Sequence, residues 1–114
     1  MANSTTVRRQ VAIPEVRQEE LKIKNMVVTV AGENTVIINV GRPNTVIRAM
    51  ANTIGHLIHR LLARGEPREE ILSLMRGVGD HGRKPDGTAP GHSIAGIVDA
   101  MAIGLQEGWD SLEE

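Results

Sequence analysis

Alternating apolar and polar positions dominate the first forty residues and predict strands. Three segments alternate in this way: residues 7–13, 21–30 and 35–40. The third is the richest in β-branched residues, and the loop before it, residues 31–34, has the glycine and asparagine typical of a hairpin. In the second, the alternation changes parity near Asn25, which predicts a bulge or short turn. We therefore expect a short antiparallel sheet.

The apolar period changes to that of a helix in the stretch from Gly41 to Gly65. Asn44 is the predicted N-cap, since it follows Pro43, which stops the preceding strand. Gly65 is predicted to follow the C-cap. With Ile54 at the centre, one broad apolar face is predicted from six further residues: Ile47, Met50, Leu57, Ile58, Leu61 and Leu62.

Two further helices are predicted beyond this stretch. Pro67 opens a short helix that Gly77 ends, and Ser93 is a good N-cap for a last helix that Gly108 is predicted to stop. Small residues along the last helix leave room for another helix to pack. The predicted fold class is α+β, a short N-terminal antiparallel sheet packed by two main C-terminal helices and one short helix. We expect a single domain, 1–114, with the sheet in 1–40 and the helices in 41–114, including a loop at 77–92.

Composition narrows the possible partners. The 114-residue chain has no Phe or Tyr and one Trp, so its core must be aliphatic, and self-association would help so small a domain bury more surface. Few aromatic side chains argue against stacking of single-stranded bases. A net charge of −1 gives no electrostatic case for DNA, RNA or a membrane surface.

The absence of cysteine excludes disulfides, a thiol nucleophile and thiolate metal ligands. No apolar run is long enough to span a bilayer, and the N-terminus lacks an apolar signal segment. These features predict a cytoplasmic protein.

The polar side of the first helix is one candidate site. Arg48, Asn52 and His59 line a ridge there, and Gly55 leaves a gap in it. One interpretation is a solvated face. The other is a groove in which donors converge on an anion or a partner helix, with Gly55 allowing close approach.

The junction between the loop and the last helix is a second candidate. Gly91, His92 and Ser93 would present free backbone N–H groups at a helix N-terminus, which suits an anion. Phosphate-binding side chains are available in and before the loop: Arg76, His81, Arg83 and Lys84. No P-loop or GxGxxG pattern is present. The simpler interpretation is an exposed loop before a well-capped helix.

Metal binding and catalysis have little support in the sequence. His56 and His59 are three apart on a helix, but an HExxH spacing is missing, so we predict no metal and no cofactor. A triad could be arranged from Ser93, His81 or His92, and Asp86 or Asp99, yet no nucleophile elbow accompanies them. Asp99 is expected to be a surface or interface residue. We therefore predict a protein that is not an enzyme.

From Val40 to Leu105 the chain resembles the TSCPD domain, which occurs at the C-terminus of some ribonucleotide reductases and as short free-standing proteins. Five segments carry the resemblance: Gly41-Arg42-Pro43-Asn44, the helix from Arg48 to Ile58, Arg64-Gly65, Leu74-Met75-Arg76-Gly77, and the helix opening at Ser93. The Ser-Cys-Pro-Asp-Ala-Ile signature stands here as Ser93-Ile94-Ala95-Gly96-Ile97-Val98, in which Ser93 alone matches directly.

A short protein with its sheet first and its helices second also resembles the type-one Thoeris anti-defence proteins of phages. Those proteins sequester cyclic ADP-ribose isomers made by TIR-domain immune enzymes, and some bind cyclic oligonucleotides, without turning the ligand over. The resemblance implies a non-catalytic sponge in the host cytoplasm. We also expect it to be a homo-oligomer, either a dimer or an assembly of dimers, with a pocket shared between subunits.

Such a ligand sets two requirements. Its pyrophosphate would need donors, which are the backbone N–H groups near Ser93 together with Arg48, Arg76, Arg83 or Lys84. Its adenine would need a flat wall, which in this composition must be Trp109, an arginine plane or aliphatic side chains. Two alternatives stay open: a structural or regulatory interaction module related to ribonucleotide reductase, and a small hydrolase that acts on the nucleotide.

Overall fold

The computed structural model describes residues 6–11, 25–79, 82–83 and 96–113. In these parts of the chain a sheet precedes the helices, which confirms the predicted α+β class. The elements in chain order are β1 (Thr6–Gln10), β2 (Met26–Ala31), β3 (Thr35–Val40), α1 (Val46–Ala63), α2 (Arg68–Met75), β4 (Val78–Gly79), β5 (Gly82–Arg83) and α3 (Ile97–Leu112).

Strands β1, β2 and β3 form an antiparallel sheet in that order. The register pairs Met26 with Val40 and Val30 with Val36, so the apolar residues of both strands lie on one face. Gly32, with φ of 57°, allows the tight hairpin between β2 and β3. The predicted strand at 35–40 is confirmed. Residues 12–13 and 21–24 of the other two predicted strands lie outside the described residues.

Helix α3 packs on the apolar face of the sheet through glycine. A Cβ atom at Gly104 would lie 2.6 Å from Val28 Cγ2, and one at Gly108 would lie 2.8 Å from Val30 Cγ2. Helix α3 continues past Gly108 to Leu112, so the prediction that Gly108 stops the helix is wrong. The small residues of α3 therefore accommodate strands rather than the predicted neighbouring helix.

Helix α1 covers the open edge of β3. Gly41 N donates to Asn25 O, and hydrogen-bonded pairs alternate with non-hydrogen-bonded pairs along antiparallel strands. Ile38 is therefore in a non-hydrogen-bonded pair, and its backbone N–H and C=O are directed away from β2. Gly55 sits against that edge, where a Cβ atom would lie 3.2 Å from Ile38 N and 3.4 Å from Val36 O. Only a helix surface built from small residues can approach a strand so closely.

The buried side of α1 differs from the predicted one. The helix buries Ala51, Gly55, Ile58 and Leu62. Of the predicted apolar face, Met50, Leu57 and Leu61 are exposed. The side of α1 that contacts the sheet is therefore rotated around the helix axis from the predicted face. The reason is that the strand edge approaches too closely for any but small residues such as Ala51 and Gly55.

The N-terminus of α1 also differs from the prediction. Thr45 is the N-cap: its Oγ1 accepts from Arg48 N (3.3 Å) and donates to Arg42 O (2.8 Å). Asn44 lies before the cap in a left-handed conformation, with φ of 64°. The backbone of Asn44 therefore forms the turn before α1, and the side chain of Thr45 caps the helix.

The C-terminus of α1 matches the prediction. Gly65 has φ of 94° and follows the C-cap residue, Arg64. Gly65 N donates to Leu62 O and Glu66 N to Leu61 O, each at 3.0 Å, which is the Schellman pattern.

The segment predicted as a loop at 77–92 contains the hairpin of β4 and β5, in which Val78 is paired with Arg83. Helix α3 begins at Ile97 after Gly96, whose backbone is extended, so the predicted start at Ser93 is corrected. Ser93 itself lies outside the described residues. Among the residues described, no helix combines the length and apolar character needed to cross a membrane.

Candidate functional site

A buried carboxylate joins the end of α2 to the start of α3. Asp99 is 0% exposed, and its Oδ1 accepts hydrogen bonds from Arg76 Nε and Gly77 N, both at 2.9 Å. The expectation of a surface or interface position for Asp99 is therefore wrong. The Arg76 guanidinium supplies a positive charge, and both groups donate hydrogen bonds. These contacts offset the free-energy cost of burying a carboxylate.

The same contact orients Arg76 at the surface. Its side chain remains 46% exposed although Nε is bound to Asp99. Gly77, with φ of 79°, then turns the chain into β4, and the register of Val78 with Arg83 returns the backbone of Arg83 to this place. Arg76 and Arg83 are thus two predicted site residues that the fold brings to one corner.

An apolar groove opens between α1 and α3. Its volume is about 380 Å³, within the range of small-molecule sites. Ile97 and Val98 line it from the same helical turn of α3 that carries Asp99. The full lining is Val46, Ile47, Met50, Ala51 and Ile54 of α1, with Ile97, Val98 and Met101 of α3.

The predicted ridge on α1 is directed at β3. Arg48 Nη1 donates to Gly41 O at 2.7 Å. Asn52 Nδ2 donates to Ile38 O at 2.6 Å and to Asn39 Oδ1 at 2.9 Å. These bonds satisfy carbonyl groups at the end and along the open edge of the sheet.

His59, the third residue of the ridge, is half-buried on the same helix. The hydrogen bonds formed by three of the described candidates fall into two groups. Arg48 binds the end of β3 and Asn52 binds its open edge, whereas Arg76 binds Asp99 of α3. The remaining predicted site residues lie outside the described residues: His81, Lys84, Gly91, His92 and Ser93.

Trp109 is covered and does not offer an open aromatic face. It is 4% exposed, and the guanidinium carbon of Arg68 lies 5.3 Å from its ring centroid. Glu113 Oε1 fixes that guanidinium through an ion pair of 3.0 Å. Of the walls considered for a base, Trp109 is covered and the aliphatic groove is open.

Neither the buried position of Asp99 nor the apolar groove was predicted from the sequence. The available signal was a single acidic residue in an otherwise apolar helical run, Ile97-Val98-Asp99-Ala100-Met101. Such a residue either faces solvent or is buried with a partner, and its partner here is 23 positions away in sequence. Pattern alone did not connect the two.

Histidine and carboxylate side chains do not form a metal site in the described ranges, where no three such groups gather around one point. The site is therefore defined by an arginine held by a buried carboxylate, a second arginine in a short hairpin, and an aliphatic groove. Comparison of the chain with protein-family models, with curated proteins and with solved structures gave no match.

Proposed function

We propose that this protein is a non-catalytic nucleotide-binding sponge that acts in the cytoplasm. Its ligand is a cyclic ADP-ribose isomer or a related cyclic oligonucleotide, and holding that ligand counteracts bacterial anti-phage defence. The proposal joins the resemblance in layout to the type-one Thoeris anti-defence proteins with the chemistry of the corner around Asp99.

One observation carries the proposal. The first turn of α3 lines an apolar groove with Ile97 and Val98 and binds Arg76 through Asp99. A dinucleotide-like ligand needs this combination, since its base favours an apolar wall and its pyrophosphate favours cationic donors. The two requirements are met by residues of one helical turn, which project from different sides of α3.

Asp99 has a positioning role in this proposal. By accepting from Nε, the carboxylate fixes the guanidinium plane of Arg76 in advance, so less conformational entropy is lost when an anion binds. The backbone of Arg83 pairs with Val78 in the hairpin next to Arg76, and we propose that Arg83 supplies a second positive charge. A pyrophosphate that bridges the two would gain charge-assisted hydrogen bonds from both.

Sequestration requires only binding, so the ligand should be released chemically unchanged. The first experiment is co-expression of the protein with an active TIR immune enzyme, followed by purification, heat release and mass spectrometry of small molecules. Recovery of an intact cyclic ADP-ribose isomer supports the proposal. An empty protein, together with no thermal shift at micromolar ligand, contradicts it, and a converted product would indicate the hydrolase alternative.

Arg83→Ala tests the site in the same assay. Loss of one charge-assisted hydrogen bond, worth about 1.5–3 kcal/mol, should weaken ligand binding roughly tenfold or more by titration calorimetry. Arg60→Ala is the matched control, because it removes the same charge from an exposed position in the last turn of α1. Equal effects of the two variants would point to general electrostatic attraction rather than this site.

The alternative function is a structural or regulatory interaction module related to ribonucleotide reductase. A specific observation favours it: Met50 and Leu57 are about 60% exposed on α1, as an interaction surface would be. This alternative predicts a protein partner recovered by affinity purification and no bound nucleotide.

A further inference from the structure

The sheet has an outer edge along β1, at the end opposite the edge that α1 covers. Val11 N donates to Met26 O, and hydrogen-bonded pairs alternate with non-hydrogen-bonded pairs from there. Thr6, Arg8 and Gln10 are therefore in non-hydrogen-bonded pairs with β2, and their backbone N–H and C=O groups are directed away from the sheet. We call these groups the β1 edge.

The β1 edge is accessible to solvent. Thr6, Arg8 and Gln10 are all exposed. Within the described ranges β1 pairs with β2 alone, and no turn or loop bonds to its other side. At the covered edge of β3, by contrast, Asn52 donates to Ile38 O. The fold therefore satisfies one edge of the sheet internally and leaves the other able to accept an extended segment, whose main chain would supply the missing hydrogen bonds.

The side chains of β1 define what can pair with this edge. On the outer face of the sheet, Arg8 is exposed beside its cross-strand neighbour Thr29. On the face that packs against α3, Val7 is half-buried against the core, and Arg9 donates a hydrogen bond to Ser111 Oγ. Strand β1 contains no acidic residue. An added strand would therefore meet positive charge on both faces and a partly uncovered valine on one.

Charge argues against a second copy of this chain at the β1 edge. If two copies of β1 paired antiparallel through all of the outward groups, Arg8 of one copy would lie directly opposite Arg8 of the other. Like charges in that position destabilise the pair, and the two Arg9 side chains add to the repulsion. The arginines therefore protect the edge from copies of itself. The same arginines favour a strand that brings carboxylates.

We propose that the β1 edge binds an extended acidic segment of another protein, which joins the sheet as an antiparallel strand. The residue opposite Arg8 lies on the same face as Arg8, so an acidic residue there forms a cross-strand ion pair. The residue before it lies opposite Arg9 and is also acidic. The residue after it lies opposite Val7 and is apolar, because it covers the exposed part of that side chain. The recognised motif in chain order is acidic, acidic, apolar. This inference concerns a surface that the proposed function does not use.

A synthetic peptide tests the charge requirement with the full chain. The probe is Thr-Glu-Glu-Val-Thr, whose second Glu would lie opposite Arg8, and the control is Thr-Lys-Lys-Val-Thr. In an NMR titration the acidic peptide should bind on the order of tenfold more tightly, because its cross-strand pairs are favourable and those of the control are not. Arg8→Glu should reverse this preference, whereas Arg60→Glu, which makes the same charge change at an exposed position on α1, should not. Equal binding of both peptides to the wild type, or no binding of either, would overturn the proposal.

Backbone methylation of the peptide separates strand addition from simple charge attraction. A methyl group on the nitrogen of the second Glu removes the N–H that would donate to Arg8 O, and it should weaken binding on the order of tenfold. The same change at the first Glu should have little effect, because the N–H of that residue is directed away from β1. Equal effects at the two positions would mean that charge alone holds the peptide, and the proposed strand would be wrong.

Amide hydrogen exchange locates the bound strand. Without peptide, the amides of Arg8 and Gln10 should exchange quickly with solvent, and those of Val7 and Arg9, which donate to β2, should exchange slowly. Saturation with the acidic peptide should slow exchange at Arg8 and Gln10 on the order of tenfold. Slow exchange at these two amides without peptide would show that the edge is already covered. Protection that rises with protein concentration would identify a second copy as the cover, and either result would contradict the proposal.

Discussion

Gly55 of α1 lies against the backbone of Ile38 in β3 so closely that a Cβ atom on Gly55 would stand 3.2 Å from the Ile38 nitrogen. This contact fixes how α1 sits on the sheet. A residue with a branched side chain cannot occupy the position unless the helix moves away from the strand, and such a movement would also break the hydrogen bond from Asn52 to Ile38.

Gly55→Val should therefore lower the free energy of unfolding by about 1–3 kcal/mol, which is the usual cost of overpacking. Gly55→Ala should lie within about 1 kcal/mol of the wild type, because better helix propensity opposes the close contact. His56→Val is the control at the exposed neighbouring position. Urea unfolding measures all three, and equal stability of Gly55→Val and His56→Val would show that α1 does not rest on this edge.

The contact between Gly108 and Val30 offers a test of how α3 lies on the sheet. Gly108→Ala should destabilise the protein by about 1–3 kcal/mol, because the new methyl group meets a stiff β-branched side chain 2.8 Å away. Val30→Ala should cost about 2 kcal/mol through the cavity it leaves.

The double variant should lose less than the sum of the two losses, by about 1 kcal/mol or more, because the added methyl group enters the space that the valine vacates. A thermodynamic cycle from urea unfolding measures the coupling. Strict additivity would mean that α3 does not pack on β2 at this point.

Asp99→Ala should destabilise the protein by about 3 kcal/mol, since it leaves the buried N–H of Gly77 without its acceptor and removes the counter-ion of Arg76. Asp99→Asn should cost less, because the amide oxygen can still accept from Gly77. Asp110→Ala, at an exposed site on the same helix, should change stability by less than about 0.5 kcal/mol. Equal effects at Asp99 and Asp110 would contradict the buried position of Asp99.

Thr45 and Asn44 are adjacent residues with different roles at the start of α1. Thr45→Ala should cost about 1 kcal/mol through loss of the cap. Asn44→Gly should be neutral or slightly stabilising, because glycine adopts positive φ without strain. Thermal unfolding distinguishes them, and a larger loss from Asn44→Gly than from Thr45→Ala would make Asn44 the cap after all.

Local patterns in the sequence predicted the order of the three-stranded sheet and the three helices, but not the short strands β4 and β5. The β-branched run of β3 and the glycine at position 65 depend on backbone preferences within a few residues, and both predictions are confirmed. The N-cap was misplaced by one position because Asn and Thr both suit that role, and only the φ angle of Asn44 separates them.

Tertiary contacts decided what the patterns could not. The apolar period of α1 was detected correctly, but it does not say which part of the apolar face meets the sheet, and the strand edge selected Gly55 and Ala51 over Met50 and Leu57. In the sequence Gly108 indicates the end of a helix, whereas in the fold it gives Val30 room to pack against α3. For the candidate site, Arg76 and Arg83 were predicted individually, whereas the buried carboxylate that orients Arg76 depends on a long-range pair.

The helix that covers β3 also limits how copies of this sheet can associate. An uncovered strand can template the addition of another strand, and a sheet with two such edges can extend without end. Here α1 occupies one of the two edges through Gly55, Asn52 and Arg48. In the described part of the chain, strand addition to this sheet is confined to the side of β1, so a stack built through its edges ends after two copies.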